Sequence, residues 1–533
     1  MKLNSFLSKT LLILIMVSAF SCAKNFDELE KDPNRPTNVT PGLVLNGIVI
    51  NMFDSPWDLT QRWCQFNCCN YNYYGNQEYN WNNATLYFTT LKNVVKMEEE
   101  AVRSGLPEKN AYSALGKFFR AYFYYNMTML VGDLPLSEAL IPAEIQKPGY
   151  DTQKDIFKNV LQWLDESNTE LTTLISAGNN TISGDIYYNN DLRKWQKAVN
   201  TFKLRVLVQL SKKETDPDLG VKAKFAEILS NKSKYPVMES MTDNMQYVYN
   251  SQFNKYPINP DNFGFDATRY NYSTTYLDNL SQLRDPRVFV MAEPAGSKLK
   301  AGLQPTDYNA FVGANPSMDL GDMSSKAGTD NGPGYLPGEY SFFNRRRYYS
   351  NYTAENTILI GYTEMCFNIA EGVNRGWSSG DAEDWYKKGI QSSHAFYGIK
   401  EGENDVFFFK AGGSPSNSGD YNKYSVSFNW ENYYNQSQVK YAGASAGLNQ
   451  ILLQKYLAFF QNSGWEAYFN YRRTGVPAFA QGGPGTGNSG RIPKRFQYPP
   501  SESSTNGDNL NAALGRQFPG GKDDINEAMW IIK

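Results

Sequence analysis

Histidine is almost absent from the sequence, since His394 is the only one among 533 residues. Histidine is the commonest metal ligand and a frequent general base. A histidine-dependent catalytic triad would therefore have to use this one residue. His394 falls in "GIQSSHAFYG", on a predicted helix, where we expect a structural role. The sequence offers no pattern typical of a histidine-based enzyme.

Cysteine is also scarce. Of five cysteines, Cys22 ends the N-terminal leader, which leaves Cys64, Cys68, Cys69 and Cys366. "CQFNCC" resembles half of a zinc site, but structural zinc needs four ligands at suitable spacing, and no second cluster exists. We therefore predict no metal ion and no cofactor. Two interpretations stay open for the remaining thiols: one disulfide in an oxidising compartment or, in preference, buried unpaired cysteines.

Net charge is small as well. The chain has 52 Lys and Arg against 54 Asp and Glu, a net charge of −2, so it lacks the basic field that binds nucleic acid. Charged residues make up 20% and aromatic residues 15%, with 37 tyrosines. Asn, Gln, Ser, Thr and Tyr therefore carry much of the polarity, which suits a neutral, polar ligand. The glycine-rich run 482–490 lacks the Lys-Ser/Thr ending of a phosphate loop, and we interpret it as a flexible surface loop.

Long apolar runs are missing beyond the first twenty or so residues, so no later segment is predicted to cross a bilayer. The chain begins with "MKLNSFLSKTLLILIMVSAFSC", in which Lys2 and Lys9 precede an apolar stretch from Leu11 to Phe20. This is the pattern of a secretory signal peptide, too short for a spanning helix. We predict that residues 1–21 form a lipoprotein signal peptide.

The end of the leader resembles a lipobox. Ala19 and Ser21 precede Cys22, although leucine is preferred at the position of Ala19. We predict that Cys22 is lipidated and anchors the protein to a membrane without a spanning helix. A plain signal peptide with an incidental cysteine is the alternative. Residues 22–40 are polar, acidic and proline-rich, as expected of a tether.

The most unusual stretch is "YNYYGNQEYNWNN", from Tyr71 to Asn83, with five aromatic rings, five asparagines and a single charged residue. A buried core would use Leu, Ile and Val, because tyrosine hydroxyls and asparagine amides need hydrogen-bond partners once dry. A sugar ring presents C–H bonds on one face and hydroxyls at its edge. The stretch combines the flat rings and neutral amides that such a ligand requires.

We therefore predict a glycan-binding loop within this stretch. The predicted stacking platform is Trp81 with Tyr73, Tyr74 and Tyr79, and the predicted hydroxyl partners are Asn72, Asn80 and Asn83. For each ring, packing beneath the loop to hold it in place is an equally open interpretation.

Helical periodicity dominates both ends of the chain. Residues 111–130 are predicted to form an apolar helix that ends at Gly132, and Thr152 with Asp155 has capping-box spacing at the start of the next. Further predicted helices cover residues 195–213, 356–377, 381–398 and 449–473. The paired pattern is similar to that of tetratricopeptide repeats, without their literal consensus. We predict a mainly α-helical fold.

The middle of the chain differs. Residues 241–354 are rich in Gly, Pro, Asn and aromatic residues and show little helical periodicity. We predict one domain over residues 41–533, with a helical scaffold over about 41–240 and 355–533 and a loop-rich insertion between them. Loops on a rigid scaffold are where ligand contacts usually occur.

Several segments in order resemble the SusD/RagB family of nutrient-binding outer-membrane lipoproteins of Bacteroidetes. They are "NFDELEKDPNRPT", "RAYFYYNMTMLVGDLPLSEAL", "YTEMCFNIAEGVNRGW", "QNSGWEAYFNYRRTGVP" and "RIPKRFQYPPSESSTNGDNLNAAL". The resemblance extends from Cys22 to Lys533. It implies helix pairs that carry irregular ligand-binding loops, a cell-surface location, and a SusC-like TonB-dependent transporter as partner.

The resemblance also bears on individual residues. In the family the ligand site commonly draws on an early loop and a mid-chain loop, which makes Tyr270, Tyr272, Tyr335 and Tyr340 secondary candidates. The quoted motifs themselves are interpreted mostly as scaffold. The residues to which they assign a structural role are Arg120, Gly132, Asp133, Glu364, Glu371, Arg472 and Arg473.

Three functions remain open on the sequence. We favour a glycan-binding lipoprotein that captures oligosaccharide at the cell surface and delivers it to the transporter. Peptide capture on the same scaffold is the alternative. A glycoside hydrolase would need two carboxylates about 5–9 Å apart across a cleft, and Glu78 is the only carboxylate within the aromatic stretch. We therefore predict that the protein is not an enzyme.

Overall fold

A computed structural model describes residues 39–81, 83–141, 144–179, 182–329 and 336–533. The predicted signal peptide, Cys22 and most of the tether lie outside the described residues. The helices are α1 (Pro41–Ile50), α2 (Leu59–Trp63), α3 (Phe88–Arg103), α4 (Ala111–Val131), α5 (Gln153–Ser176), α6 (Leu192–Gln209), α7 (Val221–Ser230), α8 (Phe263–Asp266), α9 (Asn279–Gln282), α10 (Arg287–Met291), α11 (Gly296–Lys300), α12 (Leu320–Ala327), α13 (Arg345–Tyr348), α14 (Tyr362–Asn374), α15 (Ala382–Phe396), α16 (Trp430–Tyr434), α17 (Ala444–Ala458), α18 (Glu466–Thr474) and α19 (Pro500–Gln517). The strands are β1 (Asn67–Cys69), β2 (Met245–Tyr247), β3 (Tyr270–Tyr272), β4 (Thr357–Ile360), β5 (Gly402–Phe409) and β6 (Tyr421–Phe428).

Helix α4 is the longest apolar helix of the scaffold, and its sequence explains both of its ends. The Asn110 side chain accepts hydrogen bonds from the backbone N–H groups of Tyr112 and Ser113, and the Ser113 hydroxyl accepts one from the Asn110 N–H. The helix ends at Gly132, whose φ of +101° is unfavourable for residues with a Cβ atom. The predicted helix over 111–130 is confirmed to within one residue.

Helix α5 follows the predicted capping pattern. The Thr152 hydroxyl accepts a hydrogen bond of 3.2 Å from the Asp155 N–H, which satisfies one of the free donors at the helix start. Its apolar face, with Ile156, Val160 and Leu164, is fully buried and packs against α4 on one side and α6 on the other.

Other helices pack in the same way, mostly with neighbours in the chain. Helices α1 and α3, α3 and α4, and α14 and α15 are in contact, and α17 packs on both α14 and α15. The predicted mainly α-helical architecture of packed helix pairs is confirmed.

Two predicted helices are shorter than expected. The segment 356–377 begins with a strand, because the β-branched run Thr357–Ile360 is buried on both faces and pairs with β2. The segment 449–473 splits into α17 and α18, since Gln461, Ser463 and Gly464 all have positive φ and interrupt the helix. Apolar periodicity alone does not reveal such backbone turns.

Within the described ranges, three two-stranded antiparallel sheets hold the irregular segments. Strands β5 and β6 form a hairpin, with Gly402 opposite Phe428. Strand β1 pairs with β3, with Cys69 opposite Tyr270. That pairing places the early aromatic stretch next to the mid-chain segment that contains Tyr270.

Buried ion pairs tie the helices together. Arg205 donates to Glu364 at 2.5 Å, linking α6 to α14, and Arg473 of α18 pairs with Glu371 of α14. Buried charges persist in proteins when they are paired and hydrogen-bonded. The predicted structural residues Arg120 and Asp133 are paired as well: Arg120 pairs with Glu98 at 2.6 Å, and Asp133 pairs with an arginine of α19. Arg472 donates to two backbone carbonyls.

The four cysteines within the described residues, Cys64, Cys68, Cys69 and Cys366, are buried free thiols, so the preferred of the two interpretations holds in this structure. Burial raises the pKa of each thiol above its usual value and keeps it protonated. No group of three or more His, Cys, Asp or Glu side chains in the described part of the chain could hold a metal ion.

His394 lies inside the scaffold on α15. Its Nε2 is 3.4 Å from Asp285 Oδ1, and desolvation by burial lowers its pKa despite the nearby carboxylate. Burial alone would raise the pKa of Asp285, but the charge of Arg287 and the hydrogen bonds from Arg287 and His394 outweigh it, so the carboxylate stays ionised. The cluster is a buried hydrogen-bonded network, consistent with a structural role for His394.

Candidate functional site

A cleft of about 860 Å³ opens beside the early aromatic stretch. Its wall combines residues 54–87 with two residues from the C-terminal third of the chain, Trp465 and Phe496, and with Tyr270 from the middle. The remaining aromatic lining residues are Trp57, Trp63, Tyr74 and Tyr87. The polar lining residues are Asp54, Asp58, Thr60, Arg62, Asn76, Glu78, Asn80, Asn83 and Thr85.

The two flattest surfaces of the cleft are the indoles of Trp63 and Trp465. Both are partly exposed, and their ring centroids lie 6.0 Å apart at an interplanar angle of 25°. Trp63 is the last residue of α2, which Asp58 caps by accepting a hydrogen bond from the Leu59 N–H. The Trp63 Nε1–H donates to the Glu78 carbonyl at 3.1 Å, which fixes the ring orientation.

Trp81, the predicted platform, lies behind these two rings. It is only 4% exposed and does not line the cleft. Its indole stacks on Phe496 with centroids 4.0 Å apart and contacts Trp63 at 5.2 Å and Trp465 at 5.7 Å. The structure therefore places Trp81 in the packing position that the sequence left open, where it supports the exposed indoles from beneath.

Tyr79 is buried in the same way. At 2% exposure, its hydroxyl donates to the Trp63 carbonyl at 2.8 Å and accepts from Gln65 Nε2 at 3.1 Å. Its backbone N–H donates to the carbonyl of Thr486 at 2.7 Å. Tyr79 thus holds the loop to the scaffold and has no face available to a ligand.

Four of the predicted site residues line the cleft: Tyr74, Asn80, Asn83 and Tyr270. Tyr73 and Asn72 are exposed but lie outside the cleft wall. Tyr272 is fully buried and donates to the Met291 carbonyl. Tyr340 is buried in a small separate cluster with Cys68 and Met323, and Tyr335 lies outside the described residues.

Asn80 and Asn83 are exposed at the cleft rim. The Asn80 side-chain oxygen accepts from the Asn488 N–H at 3.1 Å, and its amide donates to the Glu78 carboxylate. The glycine-rich run 482–490, predicted to be a flexible surface loop, instead packs against this stretch through Thr486 and Asn488. It acts as a support for the aromatic loop.

Arg62 is the only cation that lines the cleft in the described chain. Its side chain is buried against the ring of Tyr270, with Cζ 5.7 Å from the ring centroid, and Nη1 donates to the Asn76 carbonyl at 3.0 Å. No carboxylate of the described residues lies within ion-pair distance of it. A guanidinium with unused donors beside flat rings can bind hydroxyl or acid oxygens of a ligand.

Asp54 is a carboxylate of the cleft wall that lies next to the helical scaffold. It is partly buried between α1 and α2, and a Cβ atom at Gly464 would lie only 2.2 Å from its Oδ2. Burial, with a smaller contribution from the charge of Asp58, raises the pKa of Asp54 to about 6, while Arg205 opposes the shift. No described residue donates a hydrogen bond to this side chain, so its oxygens are available within the cleft.

The cleft includes residues that the sequence reasoning missed, chiefly Trp63, Trp465, Arg62 and Asp54. Trp63 lies eight positions before the aromatic stretch, in "QRWCQF", so a wider window around that stretch would have included it. Trp465 falls in a segment interpreted as scaffold, and no local signal in that segment distinguishes a cleft wall from a core position.

Comparison with known proteins identifies the family of the chain. A family model described as SusD-like, "Starch-binding associating with outer membrane", matches residues 33–499. The chain belongs to the SusD-like family. The resemblance drawn from the sequence motifs is thereby confirmed.

Solved structures of SusD homologues are similar over almost the whole chain. A SusD homologue from Bacteroides fragilis is 30% identical, with 93% of this chain and 100% of that chain covered and a TM-score of 0.78. A second B. fragilis homologue is also 30% identical with the same coverage and a TM-score of 0.74. A chitin-binding SusD homologue from Flavobacterium johnsoniae shares the fold, with 18% identity, 92% and 98% coverage and a TM-score of 0.65.

No relative was found among curated protein sequences. Within the residues that the structure describes, no helix of this SusD-like protein combines the length and the apolar character needed to span a membrane. Membership of the SusD-like family supports the binding of a nutrient or glycan as the general class of function.

Proposed function

We propose that the protein captures oligosaccharides at the cell surface and that its ligand site is the cleft between Trp63 and Trp465. The observation that carries the proposal is the pair of partly exposed, nearly parallel indoles in one cleft wall. Aromatic faces stack on the C–H surface of sugar rings, and contiguous apolar surface rimmed by polar residues marks a binding site more often than scattered single residues do.

The polar lining suits the hydroxyl groups of a sugar. Asn80, Asn83 and Asn76 offer amides that donate and accept, Arg62 donates, and Asp54 accepts. A sugar hydroxyl both donates and accepts, so a wall with both functions can satisfy it when water is displaced. The lining combines aromatic rings with neutral amides and, among the described residues, carries a single cation, Arg62, which supports a glycan over a peptide.

The proposed cellular location rests on the N-terminal leader and on the family. The lipobox-like ending at Cys22 supports an anchor in the outer membrane facing the outside of the cell. A binding lipoprotein cannot by itself move a ligand through a membrane, and the family implies a SusC-like TonB-dependent transporter as the partner that receives it. The proposed role is therefore capture and delivery rather than chemistry.

Calorimetric titration of the chain that lacks residues 1–22 with a panel of oligosaccharides, including those of starch and chitin, tests the proposal. Trp465→Ala and Trp63→Ala should each weaken binding by roughly 1–3 kcal/mol, by analogy with the stacking of flat bases on aromatic side chains. That is about ten- to hundredfold in Kd. Trp385→Ala is the matched control, because Trp385 is a partly exposed indole on α15 outside the cleft.

The same titrations separate binding from hydrolysis. Chromatography of the recovered oligosaccharide should show it intact after prolonged incubation with the wild-type protein. If no oligosaccharide in the panel binds, or if both cleft variants bind as the wild type does, the cleft is not the glycan site. Shortened products that disappear with Asp54→Asn would instead indicate a hydrolase.

A further inference from the structure

The exposed aromatic surface just outside the cleft points to a second stretch of binding surface for the same ligand. We propose that Tyr71, Tyr73 and Phe265, joined to the cleft by Tyr74, form a shelf that binds the continuation of a polysaccharide chain whose first units occupy the cleft. This inference rests on the proposed function of the cleft. It adds that the ligand is an extended chain, longer than the cleft itself.

The shelf is unusually exposed for its residue types. The side chain of Tyr73 is 84% exposed, that of Phe265 69% and that of Tyr71 43%. Contiguous aromatic surface that remains in solvent commonly marks a binding surface. The Tyr73 hydroxyl makes no hydrogen bond to any described residue, so it can interact with a ligand hydroxyl.

Ring-to-ring contacts join Tyr71 and Tyr73 to the cleft through Tyr74, and a hydrogen bond to its backbone joins Phe265. Tyr74 and Tyr270 both line the cleft, and their centroids lie 6.0 Å apart. Tyr74 also contacts Tyr73 at 5.3 Å and Tyr71 at 6.0 Å. Its hydroxyl donates to the Phe265 carbonyl at 2.9 Å. A chain leaving the cleft past Tyr74 therefore meets the shelf rings next.

The shelf is held rigidly, although it lies in a loop. Residues 72–74 form a short 3₁₀ turn, which ends at Gly75 with φ of +113°. A Cβ atom at Gly75 would lie 2.6 Å from Arg62 Nη1, so only glycine lets the turn rest on this buried arginine. Arg269 covers one face of Tyr71 at 4.3 Å. A preorganised surface loses little entropy when a ligand binds.

The chemistry of the shelf favours a neutral chain. None of its four aromatic residues is charged, the guanidinium of Arg269 is already placed on the Tyr71 ring, and the exposed amide of Asn72 lies between the rings of Tyr71 and Tyr73 in sequence. The shelf therefore has the same combination of flat rings and a neutral amide that lines the cleft. We therefore assign the shelf to further sugar units rather than to a protein partner.

The test compares ligand lengths. Titration of the wild-type protein with one oligosaccharide series, from disaccharide to octasaccharide, should show Kd falling beyond the length at which the cleft is filled. The double variant Tyr73→Ala/Phe265→Ala should bind the shortest ligands as the wild type does and the longest about tenfold more weakly. Tyr73→Phe keeps the ring and should bind the long ligands almost as the wild type does.

Three results would contradict the proposal that the shelf binds further sugar units. The first is a wild-type Kd that does not depend on length beyond the cleft. The second is a double variant that binds long ligands normally, or loses short and long ligands by the same factor. The third is unchanged glycan binding with lost retention of the transporter in mild detergent, which would make the shelf a protein-docking surface. Circular dichroism and melting temperature verify that the exposed substitutions leave the fold intact.

The experiments distinguish a wrong proposal for the shelf from a wrong proposal for the cleft. Trp465→Ala should weaken short and long ligands alike, whatever the shelf does. If Trp465→Ala weakens binding but the wild-type Kd does not depend on ligand length, the proposed function of the cleft stands and only the shelf is ruled out. Normal binding by both Trp465→Ala and Trp63→Ala removes the cleft as the glycan site.

Discussion

The indoles of Trp63 and Trp465 face the same cleft as a near-parallel pair 6.0 Å apart, although one belongs to the first helices and the other to the last third of the chain. Trp81 lies beneath both. The most conspicuous tryptophan of the aromatic stretch therefore serves the site indirectly, by fixing two rings that contact the cleft.

Truncation of Trp81 should act on stability. Trp81→Ala removes a buried indole that stacks on Phe496 and should lower the free energy of unfolding by about 3–5 kcal/mol. Urea unfolding followed by tryptophan fluorescence and circular dichroism measures this, with Trp385→Ala as the partly exposed control. An unchanged melting temperature combined with lost glycan binding would return Trp81 to the role of a contact residue.

The carboxyl group of Asp54 should titrate near pH 6. Burial is the main cause of its raised pKa and the charge of Asp58 the second, so Asp58→Asn should lower the value towards 3.8. Asparagine still caps α2, so the change leaves the helix start intact. Carboxyl-carbon NMR titration of the wild type and the variant measures both values. A normal pKa in the wild type would contradict the prediction.

The same residue makes stability depend on pH. Because the pKa of Asp54 is higher in the folded than in the unfolded chain, its contribution is complete below about pH 3.8 and is lost as the pH rises through about 6. Between these values the wild type should lose stability relative to Asp54→Asn, which cannot ionise. Chemical denaturation of both proteins across this pH range provides the comparison, and parallel curves would show that Asp54 does not couple to folding.

Cys22 should carry lipid. Cells that express the full chain and are fed a palmitate analogue should label the wild type but not Cys22→Ala, and the variant should leave the membrane fraction. The buried Cys366 cannot substitute as the labelled residue while the protein is folded. Equal labelling of the two proteins would leave a plain signal peptide as the interpretation of the leader.

A transporter should accompany the protein. Extraction of native membranes in mild detergent, followed by affinity purification, should recover a large TonB-dependent barrel with this protein. Cys22→Ala, made without the proposed anchor, should recover less of it, because anchoring confines both partners to one surface and raises their effective concentration. Recovery of this protein alone in several mild detergents would count against the partner.

Much of the scaffold was predictable from the sequence because its signals are local. The cap at Asn110, the stop at Gly132 and the cap at Thr152 each act within a few residues. The break before Trp465 was missed, since three residues with positive φ, Gln461, Ser463 and Gly464, interrupt an otherwise apolar pattern. The strand Thr357–Ile360 was missed because its partner is more than a hundred positions away.

The site was less predictable for the same reason. The composition of residues 71–83 pointed to the surface beside the proposed site, and Tyr74, Asn80 and Asn83 line the cleft. Whether a ring of this stretch is buried or exposed depends on residues far away in the sequence. Trp81 stacks on Phe496, and the Tyr79 N–H donates to the Thr486 carbonyl. Neither contact leaves a trace in the local sequence.

The cleft wall draws on both halves of the polypeptide, with Trp63 near the start and Phe496 close to the end. During synthesis the first helices emerge long before Trp465 and Phe496 are made, and contacts of such high sequence separation form late. The cleft that we propose as the ligand site is complete only when both of these residues have been added. On that proposal, a chain that ends before Trp465 lacks one of the two stacking indoles and should not bind oligosaccharide, even where its early helices are folded.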